Sequence, residues 1–598
     1  MRLEGVVPVL SARRRPARTT TTFASLVLLA VVISALTVTR APAATVCSSP
    51  PQVYPEDQLS DGLTATGLTT LKGQTPVSFD VKIIGVIPDG IITGLDLIVA
   101  QITGPASFLD QTGGIVYGMS GSPVTIGGKL VGSTSYAWYG DLTIIGITPA
   151  EAMVKLFSLP GGGPSSTGPM PPRVPLTTSV RRALATDAGT ALDTVPSGLT
   201  QMTVPLGVSG LPDPALAKFQ DLLDEKRMPF AAYHAAAARA PSAVTIDPTP
   251  IDPGQPFASA LSYGDFSVYA IGTATTNCGD LSVAYGHPLF YYPPGPSSFG
   301  MSDATILTIV KDNSGLFGGF KLGVIGDPHG TIVQDRFAGE VGQVGVSPTI
   351  VPITSNFSSP DTGIQRTGET DLAWQERFAV PEWSYFHAWL NIADVLQAIG
   401  KGSLNVSWTV NGLRQDGTHW NLAGANMDYS DHDATRALYK MVDQLFAIAF
   451  NRYEDVTFTD VTMTGSVTAG DLESQITRLR TSSSVQPKLR SRAVQKVRSG
   501  KPLTFEVTLS PTVGSDATGK RVKVQAVVHA GKGLYGVEVR GGKRRSYVDR
   551  RAGSFDALLA QLNASESPND LVVTGGLRGV FPQDVIVHGK ASFKIEVV

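Results

Sequence analysis

Residues 112–132, TGGIVYGMSGSPVTIGGKLVG, carry the strongest local signal in the chain. Ser120 follows Gly118-Met119 and precedes Gly121, so the backbone can turn tightly there and expose the serine hydroxyl. The backbone N–H groups of Gly118 and Ser120 can then point at one place, as in an oxyanion hole. Apolar residues on both sides of Gly127-Gly128 predict a β-hairpin directly after this turn. The alternative interpretation is a glycine-rich β-turn whose serine caps its own backbone.

Length and composition set the outer limits on fold class and function. The 598 residues include 48 Lys+Arg, 50 Asp+Glu and only 2 Cys, with 42% hydrophobic and 16% charged residues. This length predicts two to four domains, and the hydrophobic content excludes disorder throughout. The 63 glycines and 41 prolines favour many turns and short strands. A net charge of -2 argues against a nucleic-acid partner, and two cysteines exclude a disulfide-dense scaffold or a cysteine-based zinc finger.

The N-terminal residues 1–44 have the layout of a secretory signal peptide. A basic start is followed by the apolar residues 23–38 and by Ala41-Pro42-Ala43, a small-x-small pattern typical of signal peptidase sites. The competing interpretation is an uncleaved N-terminal membrane anchor. We therefore expect a secreted or cell-envelope protein. Export permits a Cys47–Cys278 disulfide, although two exported cysteines can equally stay unpaired.

Strand patterns dominate the first part of the chain, and helical patterns come later. Phe79, Val81 and Ile83 alternate with polar residues, which predicts a half-buried strand. Residues 158–175 are rich in Gly, Pro and Ser and predict a linker. Helical patterns cover residues 149–157, with Thr148 as N-cap, and residues 214–240, 383–399 and 434–453. Alternating residues from Leu503 onward predict a C-terminal β-sandwich that carries one short helix.

The segment around Ser120 closely resembles the nucleophile segment of the SpoIVB peptidase family (serine peptidase family 55), and so does its continuation, residues 145–153. In the family the first serine of GMSGSP is the nucleophile, which is Ser120 here. The resemblance implies an exported serine endopeptidase with a chymotrypsin-like double β-barrel. It also implies a protein or peptide substrate, self-cleavage, and no metal or organic cofactor.

A nucleophilic serine requires a general base, and His287 is the candidate by context. An apolar strand leads into Gly286-His287-Pro288, which resembles the family's Gly-His element, and residues 330–336 resemble the segment after it. Two departures stand out. The serine segment precedes the histidine segment, which is a permuted order relative to the family, and Pro105 occupies the position of the family's acid. Asp96, Asp110 and Asp280 are nearby acids, each favoured as a turn or cap residue, so a Ser-His dyad stays open beside a triad.

The expected architecture is mostly β with some α. Residues 45–157 and 245–350 would form the two halves of the peptidase-like domain, joined by a linker and helical segment over residues 158–244. Residues 360–455 are interpreted as α+β and residues 456–598 as an accessory β-sandwich. Two further functions stay open: an inactive peptidase fold serving as a cell-envelope binding or scaffold protein, and a carbohydrate or lipid hydrolase using Ser120.

Four weaker patterns remain in the chain. Asp327 with His329, and the run Asp431-His432-Asp433, lack the spacing of a helical zinc site and are interpreted as solvated loops. Residues 478–501 are basic and are interpreted as a linker, with contact to an anionic envelope polymer as the alternative. Tyr136, Trp138 and Tyr139 follow the hairpin, where they could form the wall of a specificity pocket.

Overall fold

The computed structural model describes residues 47–161, 173–226, 228, 230–239, 245–290, 299–311, 319–544 and 552–598. The signal peptide predicted for residues 1–44 lies outside them. Within these ranges the fold is mostly β, as predicted, with helices in both halves of the chain. None of the helices described here combines the length and the apolar character needed to span a bilayer.

Six strands close into a first β-barrel. They are β1 (Thr64–Thr69), β2 (Val77–Ile92), β3 (Leu95–Gly104), β4 (Pro123–Ile126), β5 (Lys129–Ala137) and β6 (Ile144–Pro149). The ring runs β1-β2-β3-β6-β5-β4 and closes because β4 pairs with both β5 and β1. Phe79, Val81 and Ile83 are buried inside it, which confirms the predicted alternation of β2. Helix α1 (Ala106–Thr112) joins β3 to the Ser120 turn, and α2 (Ala150–Lys155) follows β6.

The segment between the barrels contains strands that the sequence analysis missed. Its elements are β7 (Arg173–Pro175), α3 (Thr178–Ala188), β8 (Gly198–Gln201), β9 (Val204–Val208), α4 (Asp213–Glu225) and β10 (Phe230–His234). Strands β7 and β8 extend the first sheet beyond β5, whereas β9 and β10 join the second sheet. The helix predicted to reach residue 240 therefore ends at Glu225. Parallel pairing of β10 with β9 outweighs the helix propensity of its alanines.

A second six-stranded ring follows. It contains β11 (Pro256–Gly264), β12 (Val268–Cys278), β13 (Leu281–Ala284), β14 (Phe299–Val310), β15 (Phe320–Arg336) and β16 (Gly339–Val344). The order β11-β12-β13-β16-β15-β14 closes through the pairing of β14 with β11. Two closed barrels are thus present, as the family resemblance implied.

An α+β region continues the sheet of the second barrel. Strand β18 pairs with β11, and the order then runs β18-β17-β21-β19-β20, covered by two helices. The bounds are β17 (Val351–Ser358), β18 (Gln365–Leu372), α5 (Ala379–Leu396), β19 (Gly402–Arg414), β20 (His419–Ser430), α6 (Tyr439–Ala449) and β21 (Val456–Thr468). Because β21 pairs with β17 and β19, the boundary expected at residue 456 lies one strand too early.

The C-terminal region contains two sheets packed as a β-sandwich. One has the order β25-β24-β22-β29 and the other β23-β30-β26-β27-β28. The bounds are β22 (Glu473–Ser483), β23 (Val494–Val497), β24 (Pro502–Pro511), β25 (Lys520–Val527), β26 (Gly533–Gly541), α7 (Phe555–Asn563), β27 (Asp570–Gly575), β28 (Gly579–Pro582), β29 (Ile586–His588) and β30 (Lys590–Val597). Leu503, Phe505, Val507 and Leu509 fill its core, as their alternation predicted. The basic run 478–501 contributes β22 and β23 and is therefore not a linker.

Cys47 and Cys278 are joined in a disulfide. Of the two alternatives left open by the sequence, paired or unpaired cysteines, the structure has the first. The bond spans 231 residues of sequence and ties the chain before the first barrel to the end of β12. Cys278 packs in the same apolar cluster as Val283 and Val341 of the second barrel and Leu97 of the first.

Replacing Cys278 with serine should lower the free energy of unfolding by about 2–5 kcal/mol, because the bond restricts the unfolded chain. Urea unfolding of the variant and of the wild-type chain, with and without reductant, measures this loss. Reductant should destabilise only the wild-type chain. An equal effect of reductant on Cys278→Ser would contradict the assignment.

Candidate active site

Ser120 lies in the turn between α1 and β4. Gly118 and Gly121 have φ angles of 90° and 93°, which are accessible to glycine at little cost. Gly121 is also pressed against the second barrel, since an added Cβ would lie 2.0 Å from the carbonyl oxygen of Thr273. The glycines that marked this segment in the sequence are therefore required by its conformation and by its close packing.

The second barrel holds the turn through two threonines of β12. The Thr273 amide donates to the carbonyl of Ser120 at 2.8 Å, and its hydroxyl donates to the carbonyl of Gly118 at 2.9 Å. The Thr275 hydroxyl donates to the carbonyl of Gly121 at 2.7 Å. We call the turn, residues 118–121, and these two threonines the clamped turn. Its carbonyls are fixed by the opposite barrel, so the position of Ser120 depends on both barrels.

A buried lysine reinforces the same junction. Lys321 of β15 donates through Nζ to the hydroxyl of Thr69 at 2.8 Å and to that of Thr273 at 3.0 Å. Its stem covers the position where a side chain at Gly118 would stand. Burial lowers the pKa of Lys321 to about 7, since a buried ammonium loses hydration. This amine thus links the first barrel, the second barrel and the clamped turn.

His287 follows β13 and faces Ser120 from the second barrel. The distance from His287 Nε2 to Ser120 Oγ is 2.9 Å, within the range for proton transfer between a serine and its base. The preceding Tyr285 and Gly286 have φ angles of 66° and 70°, so the chain turns sharply before the imidazole. The hydroxyl of Thr148, predicted as an N-cap, instead donates to the carbonyl of Gly286 at 2.6 Å.

The other ring nitrogen of His287 contacts no carboxylate among the described residues. Nδ1 lies 2.8 Å from the carbonyl oxygen of Pro288 and 3.1 Å from Nε2 of Gln201. The three acids considered from the sequence (Asp96, Asp110 and Asp280) make no hydrogen bond to the imidazole. The sequence analysis missed Gln201, because β8 reaches the site only through its pairing with β5.

The two amides proposed for the oxyanion hole, those of Gly118 and Ser120, differ from the neighbouring amides in their hydrogen bonding. Within the turn, the N–H groups of Met119 and Gly121 donate to the carbonyls of Val116 and Thr134. No acceptor in the described part of the chain receives the N–H groups of Gly118 and Ser120. These donors are therefore available to a developing negative charge beside Ser120 Oγ.

The serine and histidine are enclosed. Ser120 is 1% exposed and His287 is 0% exposed. Burial lowers the pKa of His287 to about 4, from its ordinary value near 6.5, with an opposing contribution from the Pro288 carbonyl. The ring is thus neutral and able to accept a proton, but charging it here costs about 3 kcal/mol more than in water. Substrate entry requires a change in this enclosure.

A second serine–histidine contact, in the α+β region, provides a comparison for the contact between Ser120 and His287. Ser355 Oγ lies 2.9 Å from His387 Nε2, and His387 Nδ1 lies 2.8 Å from the hydroxyl of Thr370. Ser355 stands in the middle of β17, which pairs with strands on both sides. That serine has no glycine turn and belongs to the core of the α+β region. Contact with histidine alone does not distinguish the two serines, whereas the open amides beside Ser120 do.

Two buried acids lie behind the His287 corner. The carboxylate of Asp335 accepts the amide protons of Leu289 and Phe290 at 2.9 and 3.0 Å, and so fixes the chain after the histidine. Glu340 is its partner across β15 and β16 and accepts from the hydroxyl of Ser259 at 2.6 Å. Burial raises the pKa of both carboxyl groups. Asp335 stands in the segment 330–336 that the sequence analysis singled out.

The remaining sequence candidates lie elsewhere or serve packing. Tyr136 is buried in the core, and the ring of Tyr139 packs edge-on against Tyr117 at 5.8 Å. His329 contacts the carbonyl of Thr249, and His432 with Asp431 lies exposed on the surface. Across the described ranges, no three His, Cys, Asp or Glu side chains come together as metal ligands would.

The comparison with known families agrees with this geometry. Residues 37–146 match the family SpoIVB peptidase S55, which confirms the resemblance seen around Ser120. The match indicates a peptidase of serine type and hence a protein or peptide substrate. It covers most of the first barrel and ends before the segment that contains His287. No curated protein and no solved structure matches the chain.

Replacing Gly121 with alanine should destabilise the protein by more than the 1–3 kcal/mol expected from backbone strain, since its Cβ would also meet Thr273. Gly127→Ala is the matched control, because Gly127 has a φ of 57° and open space around it. Urea unfolding should show a loss of about 1–2 kcal/mol for the control. Equal losses would contradict the clamped turn.

Replacing Glu340 with glutamine should change stability in a pH-dependent way. The raised pKa values mean that the fold retains protons that the unfolded chain releases, so these acids reduce stability as pH rises above about 4. The melting temperature of Glu340→Gln should therefore rise relative to wild type between pH 5 and pH 8. Glu538→Gln removes a half-exposed acid paired with Lys590 and should show no such rise. A constant difference for Glu340→Gln would refute the interpretation.

Proposed function

We propose that this chain is an exported serine endopeptidase that uses Ser120 as nucleophile and His287 as general base. The observation that carries the proposal is the 2.9 Å contact between Ser120 Oγ and His287 Nε2, made across the two barrels beside two unoccupied amides. The family match around Ser120 supports the reaction class. The Cys47–Cys278 disulfide supports export, because such bonds persist in oxidising compartments.

The reaction follows from the atoms in place. His287 Nε2 takes the hydroxyl proton while Ser120 Oγ bonds to the peptide carbonyl carbon, and the amides of Gly118 and Ser120 hold the oxyanion. The imidazolium then gives its proton to the leaving amine as the C–N bond breaks. Water, activated by the same ring, releases the acyl group from the serine. Cleavage of its own chain is a corollary of the family resemblance.

The enclosure of the site favours a second function, an inactive peptidase fold that serves as an envelope scaffold. Ser120 and His287 are shielded from solvent, and in the part of the chain that the structure describes no carboxylate contacts the imidazole to stabilise its charged form. The first function requires that the enclosure open, whereas the second does not.

Labelling with a fluorophosphonate probe tests the proposal, because the probe reacts only with an activated serine. We expect labelling of the wild-type chain, none of Ser120→Ala, and a rate at least about a hundredfold lower for His287→Ala. Ser355→Ala is the matched control, since it removes the serine of the other Ser–His contact and should label like wild type.

The labelling is repeated at urea concentrations below the unfolding transition, where an enclosed site opens more often. Labelling that persists in Ser120→Ala would sink the assignment of the nucleophile. A folded wild-type chain that stays unlabelled in both conditions would favour the scaffold.

A further inference from the structure

We propose that Gln201 is a positioning residue for His287, and that Gln201 and the carbonyl of Pro288 take the place of the acid in a catalytic triad. The inference rests on the proposed function and specifies how its base is oriented. Gln201 comes from the extension of the first sheet, and Pro288 directly follows the histidine.

The Pro288 carbonyl determines which ring nitrogen carries the proton. A carbonyl oxygen only accepts hydrogen bonds, so its distance of 2.8 Å from His287 Nδ1 assigns the proton to Nδ1. Nε2 then presents its lone pair to the hydroxyl of Ser120 at 2.9 Å. This is the tautomer that a general base requires. In a triad the carboxylate selects the same tautomer.

Gln201 holds this carbonyl in place. Its Nε2 donates to the Pro288 oxygen at 3.2 Å, and its distance of 3.1 Å from Nδ1 is a packing contact, because both nitrogens are donors in this tautomer. The residue is buried, and its backbone is fixed by the pairing of β8 with Tyr136 of β5. The Thr148 hydroxyl holds the neighbouring carbonyl of Gly286. The corner that carries His287 is thus supported by side chains of the first barrel, and Gln201 is the one that reaches the imidazole.

An amide and a carbonyl orient the ring without supplying a negative charge. The titratable groups packed around the corner are Tyr285, Asp335 and Glu340. Asp335 is committed to the amides of Leu289 and Phe290, and Glu340 lies behind it. From the described residues, the imidazolium formed during catalysis therefore receives hydrogen-bond support but no ionic partner. A carboxylate at position 201 would supply one.

Gln201→Glu and Gln201→Met test the inference, with Gln444→Met as control. Gln444 is a buried glutamine of α6 that also donates to a backbone carbonyl, that of Leu562. The first readout is NMR of the 15N-labelled imidazole of His287, which reports its tautomer and its pKa without any activity. We expect Nδ1–H in wild type and a pKa raised by more than about one unit in Gln201→Glu.

The second readout is the rate of fluorophosphonate labelling against pH. The acid limb should move to higher pH in Gln201→Glu, in step with the pKa of His287. In Gln201→Met the rate at pH 7 should fall by at least about tenfold, with a loss in melting temperature no larger than that of Gln444→Met. A purely structural role would lower stability without moving the acid limb.

Three results would overturn the inference: an Nε2–H tautomer in wild type, an unchanged His287 pKa in Gln201→Glu, or wild-type labelling by Gln201→Met. Failure of the proposed function gives a different result: the wild-type chain is not labelled, while NMR can still report the tautomer and the pKa of His287. Should Gln201→Glu fail to fold, the tautomer in wild type and the labelling of Gln201→Met still decide.

Discussion

The structure depends on the hydrogen bonds between strand β12 of the second barrel and the turn of the first barrel that carries Ser120. Thr273 contributes both its amide and its hydroxyl to that turn, and its hydroxyl also accepts a hydrogen bond from Lys321. Without these bonds the turn would present three unsatisfied carbonyls in a buried junction, each costing free energy. The hydrogen bonds that satisfy the carbonyls of the turn also hold Ser120 close to His287. The same bonds connect the two barrels.

Much of the candidate site could be predicted from the sequence, because its main features are short local patterns. The glycines around Ser120, the Gly127-Gly128 hairpin and the Gly-His corner are short patterns whose geometry follows from backbone freedom. The alternation of β2 predicted the interior of the first barrel in the same way. For His287, the sequence predicted a position at a strand end, and the structure places it beside Ser120. Its catalytic role stays a prediction.

The features that the sequence analysis missed are those that depend on contacts between distant segments. Gln201 stands on a four-residue strand whose letters, GLTQ, carry no signal of their own. Its importance follows only from the pairing of β8 with β5. The alanine-rich sequence of strand β10 predicts a helix, whereas parallel pairing with β9 makes it a strand. The boundary before the sandwich was misplaced since β21 alternates in the same way whichever sheet it joins.

The disulfide has a topological consequence for any processing of the chain. Cys47 and Cys278 enclose Ser120 within a covalent ring, and His287 lies just outside it on the Cys278 side. A single cut between residues 120 and 278 would leave one fragment with the serine and another with the histidine, still held together by the bond. The cut protein would then be a two-chain molecule. Under oxidising conditions the disulfide would keep its two chains together although the connecting peptide is broken.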